Sequence, residues 1–241
     1  MYTVAFRTEK LSKQPPGSAK IRAEVFSLVR PHHPMTRPKV FCLGFQKTGT
    51  SSMREALKFL GYRVGGYASF REYHNRSDLT LAELREKVLE VADQFDAFQD
   101  SPWPIFYKEL DEKYPNSKFI LVIRQPEDWI RSAVDDFEVY DNAIHQVIYG
   151  VGHPKGHEEI WIERYKRHNR EVQEYFQDRH QDLLVLNLNQ GEVTWQNVCA
   201  FLGHEVPDIS WPHVNTKQSK KRLMFKQRLL NRLNIANWFK S

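Results

Sequence analysis

The stretch KVFCLGFQKTGTSS, Lys39 to Ser52, constrains this chain more than any other, because it reads as a buried strand running through a tight loop into a helix. Val40, Phe41, Cys42 and Leu43 make a short apolar run suited to a strand covered on both faces, and Gly44 and Gly49 bracket the loop. Thr50, Ser51 and Ser52 then open a helix through MREALKFL. The first N–H groups of a helix lack helical partners and sit at the positive end of its dipole, so a phosphate or sulfate placed there is stabilised by geometry. Lys47 adds a full charge. The plain alternative is a glycine-containing strand-to-helix turn of the kind α/β proteins use constantly. A lysine between the glycines followed by three hydroxyl residues argues against it.

The loop departs from the nucleoside-triphosphate pattern G-x-x-x-x-G-K-S/T, in which lysine directly follows the second glycine. Here Thr50 stands at that point and the lysine lies three residues after the first glycine, at Lys47. From there it approaches a ligand from inside the loop, near a terminal group being transferred, while the Thr50 to Ser52 hydroxyls and amides hold the phosphate behind it. Nothing downstream reads clearly as a strand-terminal aspartate dedicated to magnesium, so an ordinary NTPase is disfavoured.

Strands and helices alternate from Lys39 onward. Helices are expected in LTLAELREKVLEVADQF, PIFYKELDEKY, PEDWIRSAVDDF and a long polar stretch ending near His180; strands in AFQD (Ala97 to Asp100), KFILVIR (Lys118 to Arg124) and DLLVLNL; and a last helix in TWQNVCAFLG. That order predicts an α/β fold, a three-layer P-loop-type parallel sheet flanked by helices in a single domain. With 241 residues and 41% hydrophobic content, one core is the default. Three regions are expected: a basic, partly flexible arm over 1–37, the α/β domain over 38–216, and a basic amphipathic helix over 217–241. The net charge of +5 divides as +6 over residues 1–39, +8 over 217–241 and −9 between them. An acidic central domain argues against a nucleic-acid surface. No apolar run reaches the roughly eighteen residues of a membrane span and MYTVAFRTEK lacks a signal-peptide core, which points to the cytoplasm. Cys42 and Cys199 fall in a predicted core strand and a predicted helix and imply neither a disulfide framework nor a metal site.

Ligands of such sheets bind at the carboxyl ends of the strands. The strand KFILVIR ends at Arg124, and Ser132 lies eight residues on, about two helical turns later. A guanidinium and a hydroxyl so placed could hold a second phosphate, the arginine bidentately. Arg124 paired with a carboxylate at the sheet edge and Ser132 on a plain helix surface is the alternative.

With both motifs in view, the chain resembles the 3′-phosphoadenosine-5′-phosphosulfate-dependent P-loop sulfotransferases, in particular a small, soluble branch of them. GFQKTGTSS is similar to their G-x-x-K-x-G-T-S/T loop and RQPEDWIRS to their strand-terminal Arg with Ser eight residues later; the similarity runs through DSPWPIFYKELDEKYPNSKFILVIRQPEDW and covers roughly Lys39 to Asn215. The resemblance implies cofactor contacts from Gly44, Gln46, Lys47, Thr48, Gly49, Thr50, Ser51 and Ser52 at the 5′ end, and from Arg124 and Ser132 at the 3′-phosphate. It implies that Lys47, helped by Thr48, stabilises the leaving phosphate oxygen. Asp100 stands where the family places its base, with His74, His145, His153 and His157 as rivals expected to be solvated loop residues. No metal is required. The family's C-terminal K-G-x-x-G-x-W-K segment is missing, and Lys217, Lys220 or Lys221 would have to stand in for it.

The implied function is transfer of a sulfuryl group to a hydroxyl or amine of a small-molecule or glycan acceptor. The segments Tyr62 to Tyr73 and Tyr140 to His157 are expected to line the acceptor side, with Trp103 and Tyr107 as stacking surfaces. A nucleotide-binding phosphotransferase and a non-catalytic protein of the same fold are the competing classes. The tail SKKRLMFKQRLLNRLNIANWFKS places Phe225, Leu229, Leu233 and Ala236 on roughly one face. Packing of that face on the chain's own domain is favoured over contact with a membrane surface.

Overall fold

The computed structural model describes residues 37–138 and 141–214. The expected arm and C-terminal helix therefore lie outside the described residues, as do Lys217, Lys220 and Lys221. The described residues from Pro38 to Val214 belong to one compact unit.

Five strands, β1 (Val40–Cys42), β2 (Val64–Gly65), β3 (Ala97–Phe98), β4 (Lys118–Ile123) and β5 (Leu183–Asn187), form one sheet in the order β2-β3-β1-β4-β5. Every pairing is parallel. Seven helices are described: α1 (Thr50–Phe59), α2 (Leu81–Val91), α3 (Tyr107–Lys113), α4 (Pro126–Phe137), α5 (Ala143–Tyr149), α6 (Glu158–Tyr175) and α7 (Trp195–Leu202). The expected parallel α/β fold is the observed one.

Strand periodicity sorts the core into two faces. Val40, Cys42, Ile120, Val122 and Leu186 pack with Met53 and Leu57 of α1 and Val198 of α7. On the other face Phe41, Leu43, Phe119 and Leu121 meet Leu84 and Val88 of α2, Leu110 of α3, Trp129 of α4, and Tyr165 and Val172 of α6. Chain order explains where a ligand can go. After β1 the chain crosses to β2 at one edge, and after β3 it crosses to β4 on the opposite side of β1, so the loop after β1 lies at a reversal of strand order where a crevice opens.

Two strands end earlier than expected, and two segments gain defined structure. The strands after Ala97 and Lys118 stop at Phe98 and Ile123, so Asp100 and Arg124 lie just beyond their ends rather than in them. The segment Tyr62 to Tyr73 contains β2 and a 3-10 helix (Tyr67–Tyr73). The segment after residue 140 contains α5, capped by Asn142, whose side chain accepts from the N–H groups of Ile144 and His145, and closed by Gly150 in the left-handed conformation. Among the described residues no helix is long and apolar enough to cross a membrane, and Cys42 and Cys199 are buried free thiols.

Candidate functional site

The loop from Leu43 to Gly49 is held by partners that its own sequence does not announce. Gly44 packs against β4 so closely that an added Cβ would lie 2.7 Å from Val122 O and 2.6 Å from Thr48 Oγ1. Gln46, 4% exposed, donates from Nε2 to Tyr149 OH at 2.6 Å and accepts from Ser101 Oγ at 2.8 Å. Its carbonyl accepts from Trp129 Nε1 at 2.8 Å. Thr48 is buried and spends its hydroxyl on Phe45 O at 2.7 Å. The side chains of Gln46 and Thr48 brace the loop from within, because both are buried with partners already in reach.

Lys47 turns its side chain toward a different element. Gly49, at φ 91°, precedes α1 without a side-chain cap, and the first turn of α1 holds no acid. The start of α1 therefore carries the positive end of the helix dipole with no acidic residue of its own first turn. Lys47 also adopts a left-handed backbone, φ 72°, which costs a non-glycine residue about 1–2 kcal/mol. Its ammonium reaches α4, where Nζ lies 2.9 Å from Asp136 Oδ2. Asp136 follows Ser132 by one helical turn, so both share the α4 face turned toward the lysine.

Arg124 joins this group directly. Its Nη1 donates to Lys47 O at 3.2 Å, and its backbone N–H donates to Tyr165 OH at 2.7 Å, which returns a bond to Arg124 O at 2.9 Å. Tyr165 stacks on Trp129 with ring centroids 4.2 Å apart. The strand-end arginine is therefore oriented by α6 and α4 together. Ser51 and Ser52 lie in the first turn of α1, and Ser52 Oγ accepts from Val214 N at 3.1 Å, which ties the segment after α7 to that turn.

Asp100 lies two residues beyond the end of β3, the strand paired with β1, and has φ 72°, a second left-handed non-glycine residue beside the loop. Such strain persists only where surrounding contacts over-determine it, and it concentrates at functional sites. Its Oδ1 accepts the Ser101 N–H at 2.9 Å. Desolvation raises its carboxyl above the ordinary range, opposed by that backbone bond, by Arg54 and Lys47, and by the Thr50 hydroxyl. The carboxyl thus faces the start of α1 and the Lys47 ammonium.

The expected histidine environments and stacking surfaces require correction. His145 is 3% exposed and lies among Phe137, Tyr149 and Trp161; burial lowers it to about 4. His74 Nδ1 bonds Tyr67 OH at 2.6 Å, and Asn142 Nδ2 donates to the same phenol at 2.8 Å. His153 and His157 pack on each other, centroids 4.9 Å apart, and the Nδ1 atoms of both are shielded from solvent. Trp103 is fully buried against Phe70 and Phe98, and Tyr107 is buried against Phe176. An apolar ring is worth more inside this core than at its rim, so neither is a stacking surface.

Sequence reasoning missed Asp136, Tyr149, Ser101 and Tyr165. Only Asp136 had a legible signal, its one-turn spacing from Ser132. The others come from distant elements that the fold brings to the loop.

A relative from Aspergillus versicolor described as Ava biosynthesis cluster protein M is 27% identical over 222 residues, spanning 76% of this chain and 83% of the relative. Among solved structures, a sulfotransferase from Alicyclobacillus acidocaldarius is 18% identical, covers 78% of this chain and 90% of its own, and gives a TM-score of 0.45. A mouse sulfotransferase complexed with PAP is 15% identical, covers 71% and 60%, and gives 0.39. Residues 39–149 and 135–220 match the family described as the sulfotransferase domain, so this chain belongs to that family.

Proposed function

We propose that the protein moves a sulfuryl group from 3′-phosphoadenosine-5′-phosphosulfate to a hydroxyl or amine of a small-molecule or glycan acceptor, by in-line transfer without a metal. The observation that carries this reading is the hydrogen bond from Arg124 Nη1 to Lys47 O, which joins the two anion motifs into one site. The start of α1 supports it, because the positive end of the helix dipole lies where the 5′ end would sit. Gly49, Thr50, Ser51 and Ser52 would hold the 5′-phosphate, and Arg124 with Ser132 the 3′-phosphate.

The bound donor supplies an activated sulfuryl group on a phosphate leaving group. Catalysis then rests on positioning and on charge aimed at the oxygen that leaves. Lys47 would turn from Asp136 to that oxygen as its bond to sulfur breaks. Asp100 would take the acceptor's proton as the new bond from acceptor to sulfur forms. Its raised pKa makes it a stronger base than an exposed aspartate, which is the direction general-base catalysis near neutrality favours. Tyr67, whose phenol is in the field of Asp100, would border the acceptor with His74 and Asn142 behind it.

The test is a thermal-shift comparison with a chelator present. Adenosine 3′,5′-bisphosphate should stabilise the protein, and transfer of labelled sulfate from the donor to a panel of phenols, alcohols, amines and sugars should depend on Lys47. Stabilisation only by ATP with magnesium would overturn the reading in favour of a phosphotransferase. Tight bisphosphate binding with no acceptor sulfated would favour a binding protein.

A further inference from the structure

Asn142, Tyr67 and His74 form a hydrogen-bonded chain beside Asp100, and its polarity can be read from one end. Asn142 Oδ1 accepts the N–H groups of Ile144 at 2.9 Å and His145 at 3.4 Å, so the oxygen is fixed at the start of α5 and Nδ2 is the end turned to Tyr67. That amide donates to Tyr67 OH at 2.8 Å. The phenol's one proton is then directed at His74 Nδ1, 2.6 Å away, which accepts it in the neutral ring and leaves the ring's own proton on Nε2. The Ala143 N–H donates to His74 O at 3.0 Å, so the backbone holds the histidine against the same helix start.

The parallel ladder carries the phenol to the level of Asp100. Val64 pairs with Ala97 and Gly65 with Phe98, and Gln99 N donates to Gly65 O at 3.2 Å, one step further along. Gly66 lies against Gln99, where an added Cβ would be 2.5 Å from Gln99 Nε2. Tyr67 and Asp100 are the next residues of the two neighbouring segments. Burial raises the phenol's pKa, opposed by the Asn142 bond and reinforced by the Asp100 charge, so Tyr67 keeps its proton at neutral pH. A phenol oxygen that accepts from Asn142 and donates to His74 has one lone pair left. The chain therefore runs one way, from the side of Asp100 outward to a half-buried imidazole.

We propose that Tyr67 and His74 are a proton relay that discharges Asp100 after transfer, and that Asn142 sets its direction. The proposal rests on the reading of Asp100 as the base of sulfuryl transfer given above. The O–H bond of the Asp100 carboxyl breaks and its proton passes, through one water, to the remaining lone pair of the phenol, while the phenol's own O–H proton moves to His74 Nδ1. The imidazolium so formed releases a proton to solvent. Asp100 is again a carboxylate, Tyr67 a phenol and His74 a neutral ring, with no change of oxidation state. Imidazole suits the last step because its ordinary pKa, about 6.5, lets it take up and release a proton near neutrality.

Chemical rescue of the full chain tests it, with labelled-donor sulfation of the acceptor panel above as the readout. His74→Ala and Tyr67→Phe should each lower kcat by on the order of 10- to 100-fold, with KM and the affinity for adenosine 3′,5′-bisphosphate within about twofold. Added imidazole should restore most of the turnover of His74→Ala, because the free base can enter the vacated space and take the phenol's proton. Asn142→Asp keeps an oxygen to cap α5 but cannot donate to the phenol, so it should lower kcat without lowering the melting temperature. Tyr67→Phe keeps the ring in place, so its loss of turnover is read on a folded protein. Unchanged kcat in His74→Ala overturns the relay. A loss of kcat that imidazole fails to restore also overturns it and marks the three residues as a brace. In either case an inactive Asp100→Asn leaves the sulfotransferase reading standing. Failure of the unmodified protein to sulfate any acceptor overturns that reading and the relay with it.

Discussion

Lys47 Nζ lies 2.9 Å from Asp136 Oδ2, so an anion arriving at the loop must compete with a carboxylate for the cation that would serve it. The two side chains are 16% and 32% exposed, and a pair of this kind is worth about 0.5–1 kcal/mol. Asp136→Asn should therefore tighten binding of adenosine 3′,5′-bisphosphate by about two- to fivefold. Lys47→Ala should weaken it and lower turnover by roughly a hundredfold or more. Titration of both variants checks the sign. Weaker binding in Asp136→Asn would mean that the carboxylate positions the lysine for the ligand instead of competing with it.

Asp100 sets function against stability. Its folded pKa is raised, so the contribution it makes to stability is present below the ordinary carboxylate value, near 4, and is lost as pH rises through the folded value. At neutral pH the ionised, desolvated group is a burden that Asn would remove while still accepting the Ser101 N–H. Asp100→Asn should raise the melting temperature at pH 7, with the advantage fading toward pH 4, and should abolish transfer while sparing bisphosphate binding. Unchanged turnover would remove Asp100 from the chemistry.

Gln46 is expected to matter for the loop rather than for direct ligand contact. Gln46→Leu would strand Tyr149 OH and Ser101 Oγ, each at a cost of about 1–3 kcal/mol. The variant should melt several degrees lower and bind the bisphosphate more weakly. A normal melting curve with lost binding would instead indicate that the amide touches the ligand.

His145 and His168 should make the fold acid-sensitive. Burial depresses them to about 4 and about 3, and His168 Nε2 is hydrogen-bonded to Leu43 O at 2.8 Å. Both must stay neutral in the folded protein. Their contribution is complete above the ordinary histidine value, about 6.5, and is lost as pH falls through the folded values. At about 1.4 kcal/mol per unit, His145 alone accounts for roughly 3 kcal/mol. The loss of stability between pH 7.5 and pH 5, read from urea unfolding, should be smaller in His145→Phe than in the unmodified protein. Equal losses in the two would show that the imidazole titrates normally.

Much of this was legible in the chain because it depends on short-range order. The apolar run before Gly44, the position of Lys47 between Gly44 and Gly49, and the eight-residue interval from Arg124 to Ser132 are local, and local geometry sets a strand, a loop and a helix start. The helix α5 was also legible in principle, from Asn142 before it and Gly150 after it, but the loop-like composition around it obscured the signal. The burial of Trp103, Tyr107 and His145 was not legible, since an aromatic residue in a predicted loop or first turn reads the same whether it faces water or core.

By itself, then, the sequence determined the alternation that makes a parallel sheet and the spacing that puts a lysine, three hydroxyl residues and a second cation near strand ends. Only the tertiary structure decided which of those groups are spent internally. Gln46 and Thr48 turn inward because Tyr149, Ser101 and Phe45 O wait there, whereas Lys47 meets Asp136, 89 residues away in sequence. Hydrogen bonds and ion pairs act over a few ångströms, and residues that distant become neighbours only once the sheet order β2-β3-β1-β4-β5 has folded around them.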